Sequence, residues 1–303
     1  MSEQQPIIIG AGLSGLLAAI AFPRSEVIEA KPRAASHRAL LRFRSTEVAA
    51  LTGIEFKRVM VRKGIWFDDA FVEPSILLAN LYSRKVIGRL GERSIWNVAP
   101  VERFIAPDDL YDQLVDMIGP RIQFEMPFSF TPIPTKIPVI STAPLYVTLK
   151  ALGIDTPGLT FQRERIFVYR ATLPPTEGSV FQTIYFPSAD TPIYRASITG
   201  KTIIVESMSS LIASDLDKLE YAFGVETRNL QWERGAQEFG KITPIEDESR
   251  RALLGKLTSE HNLFSLGRFG TWRNILLDDV VHDIAVIKRL IRSDGYARRK
   301  FAA

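Results

Sequence analysis

The segment from Pro6 to Ala30, PIIIGAGLSGLLAAIAFPRSEVIEA, constrains the fold of this chain more than any other. Ile7, Ile8 and Ile9 are a β-branched run of the kind found in strands buried on both faces. Gly10, Gly12 and Gly15 follow in G-x-G-x-x-G spacing, and LLAAIAF (16–22) reads as the apolar start of a helix. A second β-like run, Glu26-Val27-Ile28, delivers Glu29, 19 residues after Gly10. Strand, glycine turn, helix, second strand and acid together make the dinucleotide-binding βαβ pattern. Gly10 permits the tight turn, Gly12 lets a pyrophosphate approach the backbone, and Gly15 lets helix and strand pack closely. The helix N-terminus supplies amide donors and a positive partial charge, and Glu29 is placed for the ribose. A bare glycine pattern would suit a turn in another α/β protein; the full context points to a bound dinucleotide.

Residues 4 to 23 carry no charge, which raises a membrane span or signal peptide. No basic segment precedes them, and Pro6 and three glycines interrupt the run, so the expectation is a soluble, non-membrane fold. The chain has no cysteine. That excludes disulfides, thiolate metal sites, a cysteine nucleophile and a cysteinyl-linked flavin, and it agrees with a cytoplasmic setting. The net charge of +4 is unevenly placed. Thirteen basic residues stand against six acids between Lys31 and Arg93, and six against one from Ile284 onward. Such patches suit a polyanion, so DNA is a candidate partner; solvated surface and contacts to a cofactor's own phosphates are the competing readings.

Further along, Ser45 is placed to cap a short helix through Leu51 that Gly53 ends. Residues 56–67, FKRVMVRKGIWF, alternate and are rich in valine and aromatics, which predicts a strand or hairpin. Pro74 starts a helix stopped at Gly88, and Pro107-Asp108-Asp109 opens another ended by Gly119-Pro120. RIQFEM (121–126) reads as a strand, and VIS (139–141) as another edge of the parallel sheet. Between 160 and 208, several alternating runs with turn residues between them predict an antiparallel sheet distinct from the nucleotide-binding part. A helix follows over LIASDLDKLEYAFG. A long amphipathic helix comes last, with Asp278 and Asp279 in its first turn and Lys288, Arg289 and Arg292 in its last.

An N-terminal dinucleotide motif, a middle antiparallel sheet and a C-terminal return to the first domain resemble the layout of amine-oxidase-like flavoproteins. Within them the chain resembles the UDP-galactopyranose mutases. Gly267-Arg268-Phe269-Gly270-Thr271-Trp272-Arg273 is similar to that family's GR-x-G-T-Y-R segment, and Asp278 falls where its Met-Asp places a helix N-terminus beside the flavin. Asp190-Thr191-Pro192-Ile193-Tyr194-Arg195 resembles its P-x-x-R segment, and Gln162-Arg163 lies near its Tyr-Arg pair. The resemblance implies FAD, held by Gly10, Gly12, Gly15 and Glu29, with Arg268 and the backbone around Leu277 and Asp278 near the isoalloxazine. The mutase pattern continues past Tyr-Arg with an aromatic and an acid, where this chain has Asn274 and Leu276; that departure weakens a UDP-sugar substrate and leaves the flavin untouched. The chain is also similar to small flavoenzymes of bacteriophage pathways that hypermodify thymine, which cleave an amino acid attached through nitrogen to the thymine methyl carbon and leave aminomethyl-uracil.

The expected fold class is therefore α/β: an FAD-binding Rossmann-like domain with a second, antiparallel-sheet substrate domain. The FAD-binding domain is expected in three parts, 1–55, 121–158 and 241–303. A strand/helix insertion at 56–120 would line the pocket, and the substrate domain would span 159–240. The implied activity is oxidative cleavage of a C–N bond in a secondary amine, either a small molecule or an amino acid such as glycine linked to a base in DNA. A mutase-like isomerase and a non-catalytic flavin module associated with nucleic acid are the alternatives. Holding a substrate carboxylate calls for a planar guanidinium. Arg195, Arg163 and Arg273 are the candidates, in that order, each with a structural role as its plainer alternative.

Tyr194 alternates with Arg195, so in a regular strand only one of them faces the flavin. Trp66 and Trp272 suit a flavin wall or buried packing. His37, His261 and His282 lack metal-ligand spacing, and no histidine lies near Ser141-Thr142, so neither a metal site nor a hydrolase triad is expected. The oligomeric state is left open.

Overall fold

The computed structural model describes residues 5–34, 41–91, 94–130, 137–174 and 180–300, with side chains to residue 293. The chain begins with β1 (Ile7–Ile9), α1 (Leu13–Ala21) and β2 (Glu26–Ile28), the order that the glycine motif dictates. A two-residue strand β3 (Arg42–Phe43) leads to α2 (Glu47–Thr52), which Gly53 ends in the left-handed region at φ 73°. The segment 56–67 holds one long strand. β4 (Lys57–Phe67) turns through Asp68 and Asp69, both at positive φ, into β5 (Ala70–Phe71), the double left-handed turn that matches strand twist. Helix α3 (Ile76–Ile87) is capped by Ser75, whose hydroxyl accepts from Leu78 N–H. After β6 (Val101–Ile105) come α4 (Leu110–Ile118), β7 (Ile122–Gln123), β8 (Val139–Ser141) and α5 (Leu145–Ala151). Four long strands follow: β9 (Arg163–Thr172), β10 (Val180–Tyr185), β11 (Ile193–Gly200) and β12 (Thr202–Ser207). The chain then runs through α6 (Ala213–Phe223), β13 (Glu233–Ile242), α7 (Asp247–His261), β14 (Leu263–Ser265), α8 (Gly267–Gly270) and α9 (Leu277–Lys300).

Two sheets organise these elements. The first is all parallel, in the order β14-β8-β1-β2-β7. Apolar side chains of α1, α4 and α9 cover one face, and those of α5 and α7 the other. A parallel sheet with helices on both faces is the doubly wound solution for strands as apolar as Ile7–Ile9 and Val139–Ser141. β8 lies inside this sheet, between β1 and β14, and not at an edge as its short run suggested. The edge is β14, three residues supplied from the far end of the sequence.

The second sheet has the order β13-β9-β12-β11-β10-β4-β6-β3 with β5 beside β4. Its pairs are antiparallel apart from β10 with β4. Helix α6 packs Leu219 and Ala222 against Ile184, Ala196, Ile203 and Val205 on one face; α3 packs Leu78, Tyr82 and Val86 against Ile65, Tyr185, Tyr194 and Ile204 on the other.

The sheet is strongly curled, and one side chain proves it. Arg42 on β3 donates from Nη1 to Thr183 Oγ1 on β10 (2.7 Å), and from Nε to Thr199 Oγ1 on β11 (3.1 Å). With β6 and β4 between them, β3 and β10 would stand about 14 Å apart in a flat sheet, beyond an arginine's reach. The sheet must bend back on itself until β3 faces β10 and β11 across its interior.

Local irregularities depart from the sequence expectation. α2 starts one residue later than expected, with Thr46 at its N-cap position. Only Ile122–Gln123 of RIQFEM forms a strand, because the chain turns away at Glu125, a non-glycine residue at φ 58°. Strand β11 carries a β-bulge between Ile193 and Arg195, so its side chains do not alternate regularly there.

Candidate functional site

The first βα turn is built by close approach. A Cβ on Gly15 would lie 1.9 Å from the Gly10 carbonyl oxygen, so only glycine lets α1 start against β1. Among the described residues, a Cβ on Gly12 would meet no atom within 4 Å. Gly12 is thus required by none of the described residues, and the space beside it lies at the open N-terminus of α1. The Glu29 carboxylate reaches back into this turn and accepts from the amides of Ala11 (2.8 Å) and Lys31 (2.9 Å). These bonds leave lone-pair positions on both oxygens for a further donor.

The C-terminal segment 267–273 closes on the same turn. Gly267, at φ 79°, lies so near α1 that a Cβ there would come 2.6 Å from Ser14 Oγ; one on Gly270 would come 2.8 Å from the Ser141 carbonyl at the end of β8. Arg268 leaves this turn toward the second sheet, where its Nη2 donates to the Gly240 carbonyl on β13 (3.2 Å). Trp272 is fully buried at positive φ (50°), donates Nε1 to Thr243 O (3.0 Å), and packs on Tyr146, Phe161 and Phe239. Its role is packing.

The N-terminus of α9 forms the third wall. Asp278 accepts from the amides of Arg44 and Ser45 and from Ser45 Oγ (3.0 Å), fixing the segment between β3 and α2 to the start of α9. The Asp278 carboxylate is therefore a tether, and what α9 presents are its first amides, at Leu277 and Asp278.

The α3-facing side of the curled sheet carries Tyr194, Arg195 and Glu206. Because of the bulge, Tyr194 and Arg195 do not point apart. Tyr194 donates its hydroxyl to Glu206 Oε1 (3.1 Å), and Arg195 donates Nε to Glu206 Oε2. Lys241, next to the Gly240 that Arg268 touches, places its ammonium 4.1 Å from the Tyr194 ring centroid. Burial alone would raise the Glu206 carboxyl; Arg195, Lys241 and the Tyr194 hydroxyl outweigh it and hold the group below the ordinary carboxylate range. Burial and the neighbouring Glu206 push the Tyr194 hydroxyl well up, so it stays a donor.

Arg195 is thus partnered through Nε to Glu206 on this side of the second sheet. Arg163 and Arg273 have other partners. Arg163 is exposed at the start of β9, stacked over Phe239 (4.6 Å) and Tyr146 and bonded to the Tyr146 hydroxyl. Arg273 is held in an ion pair with Asp283 on α9 and bonds Thr271 Oγ1 (3.2 Å). Glu206, Lys241 and Arg42 were not singled out from sequence. The lone acid inside the apolar strand TIIVES was the available signal for the first.

Of the basic segment 31–93, Arg33 pairs with Asp112 and Asp116, Arg44 with Asp279 and Arg58 with Glu102. His37 and Arg38, Arg93, and the side chains of Arg298, Arg299 and Lys300 lie outside the described residues. Among the described residues no helix is long and apolar enough to cross a membrane, and no group of three acidic or histidine side chains could hold a metal ion.

The chain thus folds as a five-stranded parallel sheet with a glycine-rich first turn, joined to a curled mixed sheet. Comparison with solved structures bears this out. The chain is similar to reduced UDP-galactopyranose mutase (TM-score 0.65, 15% identity, 95% of both chains covered). It is also similar to an oxidoreductase from Methanosarcina mazei (0.55, 13%, 94% of this chain and all of that one). A third is aklavinone-11 hydroxylase in complex with FAD and aklavinone (0.52, 12%), of which the chain covers 62%. At these identities the likeness is one of fold. No protein-family model matches the sequence, and no curated protein does.

Proposed function

We propose that this chain is an FAD-dependent enzyme that oxidises a C–N bond of a secondary amine bearing a carboxylate. The observation that carries the reading is the convergence of three cofactor-type elements on one enclosure: the glycine turn of α1, the 267–273 turn and the start of α9. Against them stands the face holding Arg195, Glu206 and Tyr194. The residues fit FAD. The space beside Gly12 suits a diphosphate that the α1 amides would bind, Glu29 retains acceptor capacity for a ribose hydroxyl, and Arg268 and the amides at Leu277 and Asp278 border the remaining space.

When bound, FAD supplies an acceptor for the two electrons and the hydrogen that leave the amine's α-carbon. Water then adds to the resulting C=N bond and splits it, giving a primary amine and a 2-oxo acid. The protein's part is to bind and orient. Arg195 has five donors, of which the Glu206 pair engages Nε, and its guanidinium would take the substrate carboxylate. Glu206 fixes that guanidinium in place. The Tyr194 hydroxyl stays protonated and committed to Glu206, so it holds the pair and does not serve as the base.

The finer form of this reading places the amine on a thymine-type base in DNA, with glycine as the amino acid and 5-aminomethyl-uracil as the product. Lys57 and Arg62, exposed on β4 and without a described acidic partner, support it; the internal pairing of Arg33, Arg44 and Arg58 detracts from it. The breadth of the fold match to UDP-galactopyranose mutase favours a second reading, a sugar-nucleotide isomerase using reduced FAD.

The purified protein should be yellow and release FAD on denaturation. Glu29→Ala should weaken flavin retention by about 1–3 kcal/mol, since an acceptor for the ribose is lost and the Ala11 amide loses its partner. Tight NAD binding without flavin would refute the cofactor. Anaerobic bleaching of the flavin by an N-alkyl amino acid, or by aminoacylated-thymine DNA, tests the reaction. Arg195→Lys keeps the charge beside Glu206 and loses the fork, so it should lower kcat/KM roughly tenfold to a hundredfold, about 1.5–3 kcal/mol, with stability nearly unchanged. Turnover of a UDP-sugar by reduced protein, without net oxidation of any amine, would favour the isomerase.

A further inference from the structure

The interior of the curled sheet holds more positive charge than its own acids neutralise. On β3, Arg42 gives Nε, Nη1 and Nη2 to Thr199 Oγ1, Thr183 Oγ1 and the Ile198 carbonyl, all neutral acceptors. On β6, Arg103 donates to the Glu102 carbonyl (2.7 Å); on β4, Lys63 donates to the Asn97 carbonyl (2.7 Å). None of the three forms an ion pair with a described acid. The strand register places Lys63 and Arg103 on one side of the sheet, with Thr183 and Ser197 on that same side of the neighbouring strands. Arg195 lies two residues from Ser197, and Glu206 is the one carboxylate bonded to this group. Each of the three cations is half-buried, open to a small solute but short of full hydration. The crowding is felt at Arg42, which burial, then the charges of Arg195 and Arg103, push down to about 10. Several cations held together against neutral partners are stabilised by a multiply charged anion.

We propose that Arg42, Lys63 and Arg103, with the hydroxyls of Thr183, Ser197 and Thr199 beside them, form a binding site for a phosphate group of the substrate, separate from the groove beside Gly12. A phosphate carries about −1.5 to −2 charge near pH 7 and three acceptor oxygens, which matches the cation excess and the fork donors. This rests on the reading of the enclosure as a substrate site and adds to it. The substrate carries a second anionic group, held on the β3–β6–β4 side and next to the carboxylate at Arg195. A free mononucleotide presents this group as such; a phosphodiester of single-stranded DNA presents its singly charged form with two free oxygens, repeated along the strand.

The test is calorimetric titration of the purified, flavin-loaded protein with inorganic phosphate at constant ionic strength, chloride being the balancing anion. Saturable binding is expected, and it should weaken at least tenfold in the Lys63→Met/Arg103→Met double variant. That variant loses only bonds to backbone carbonyls, so it keeps the fold; Arg42→Met risks the strut between β3 and β10 and is the secondary variant. A mononucleotide and an oligonucleotide of the same base distinguish the sources: affinity that grows with length assigns the phosphate to nucleic acid, and equal affinity assigns it to a small molecule. No binding above the chloride baseline, or binding indifferent to the double variant, would overturn the proposal. A protein that carries no flavin yet binds phosphate through Lys63 and Arg103 would defeat the cofactor reading and leave this one standing.

Discussion

Gly12→Ala is expected to leave the stability of the protein unchanged and to abolish flavin retention, whereas Gly15→Ala is expected to damage both. The two positions differ by three residues and by one physical fact. A methyl group on Gly12 enters space that no atom of the described residues occupies, and its backbone, at φ −73°, suits alanine. The only thing it can displace is a ligand. A methyl group on Gly15 lands 1.9 Å from the Gly10 oxygen, a backbone atom that cannot swing away. The start of α1 must then lift from β1, at a cost of about 3 kcal/mol, the upper part of the overpacking range. Urea denaturation of the flavin-free proteins gives the stabilities, and absorbance of the purified proteins gives the flavin content. Equal flavin retention in wild type and Gly12→Ala would show that the cofactor does not lie over this turn. Equal stability of Gly15→Ala would show that the helix does not start where the structure places it.

This pair also shows why the first domain was legible in the sequence and much of the second was not. Steric demands at the glycine turn act between residues close in the chain, so Gly10 to Glu29 carry their own instructions. The same holds for α3, expected from Pro74 and stopped at Gly88. The place of β8 is different. Three apolar residues in a row specify a buried strand, yet whether it is an edge depends on β14, more than a hundred residues later. The bulge at Tyr194 is likewise invisible, because it is defined by where Ser207 and Glu206 fall on the partner strand. Strict alternation would have sent Tyr194 and Arg195 to opposite faces. Pairing with β12 brings both onto one carboxylate. Arg42 is a further case: its role comes from the curl of a sheet whose strands β3 and β10 are far apart in the chain. The partner of Arg273 is equally non-obvious, because Asp283 lies a helix turn and a half into α9.

Glu206→Gln should be the most damaging single change in the curled sheet, and its signature should be a pH dependence. The carboxylate bonds Arg195 and Tyr194 together and lies near Lys241, with only 13% of its side chain exposed. Removing the charge leaves the Arg195 guanidinium, one third exposed, without its acidic partner. Losses of 3–5 kcal/mol are typical when one member of a buried pair is deleted. Residual hydration of Arg195 and the retained amide oxygen place the expected loss near pH 7 at about 3 kcal/mol. The sign of the pH effect follows from the direction of the shift. Glu206 is held below its ordinary value of 4.5 in the folded protein. The stability it contributes is therefore present above about pH 4.5 and lost as pH falls through the lower, folded value. Wild type and Glu206→Gln should differ most at neutral pH and converge as acid protonates the carboxylate. Urea denaturation of both proteins from pH 7 to pH 3 measures this directly. Parallel acid limbs would mean that Glu206 is not coupled to Arg195, and the enclosure would lose the group that aims its arginine. Tyr194→Phe provides the internal control: it removes one neutral hydrogen bond, costs about 1 kcal/mol, and should leave most of the difference between the acid limbs in place, because the charge of Arg195 does most to keep Glu206 ionised.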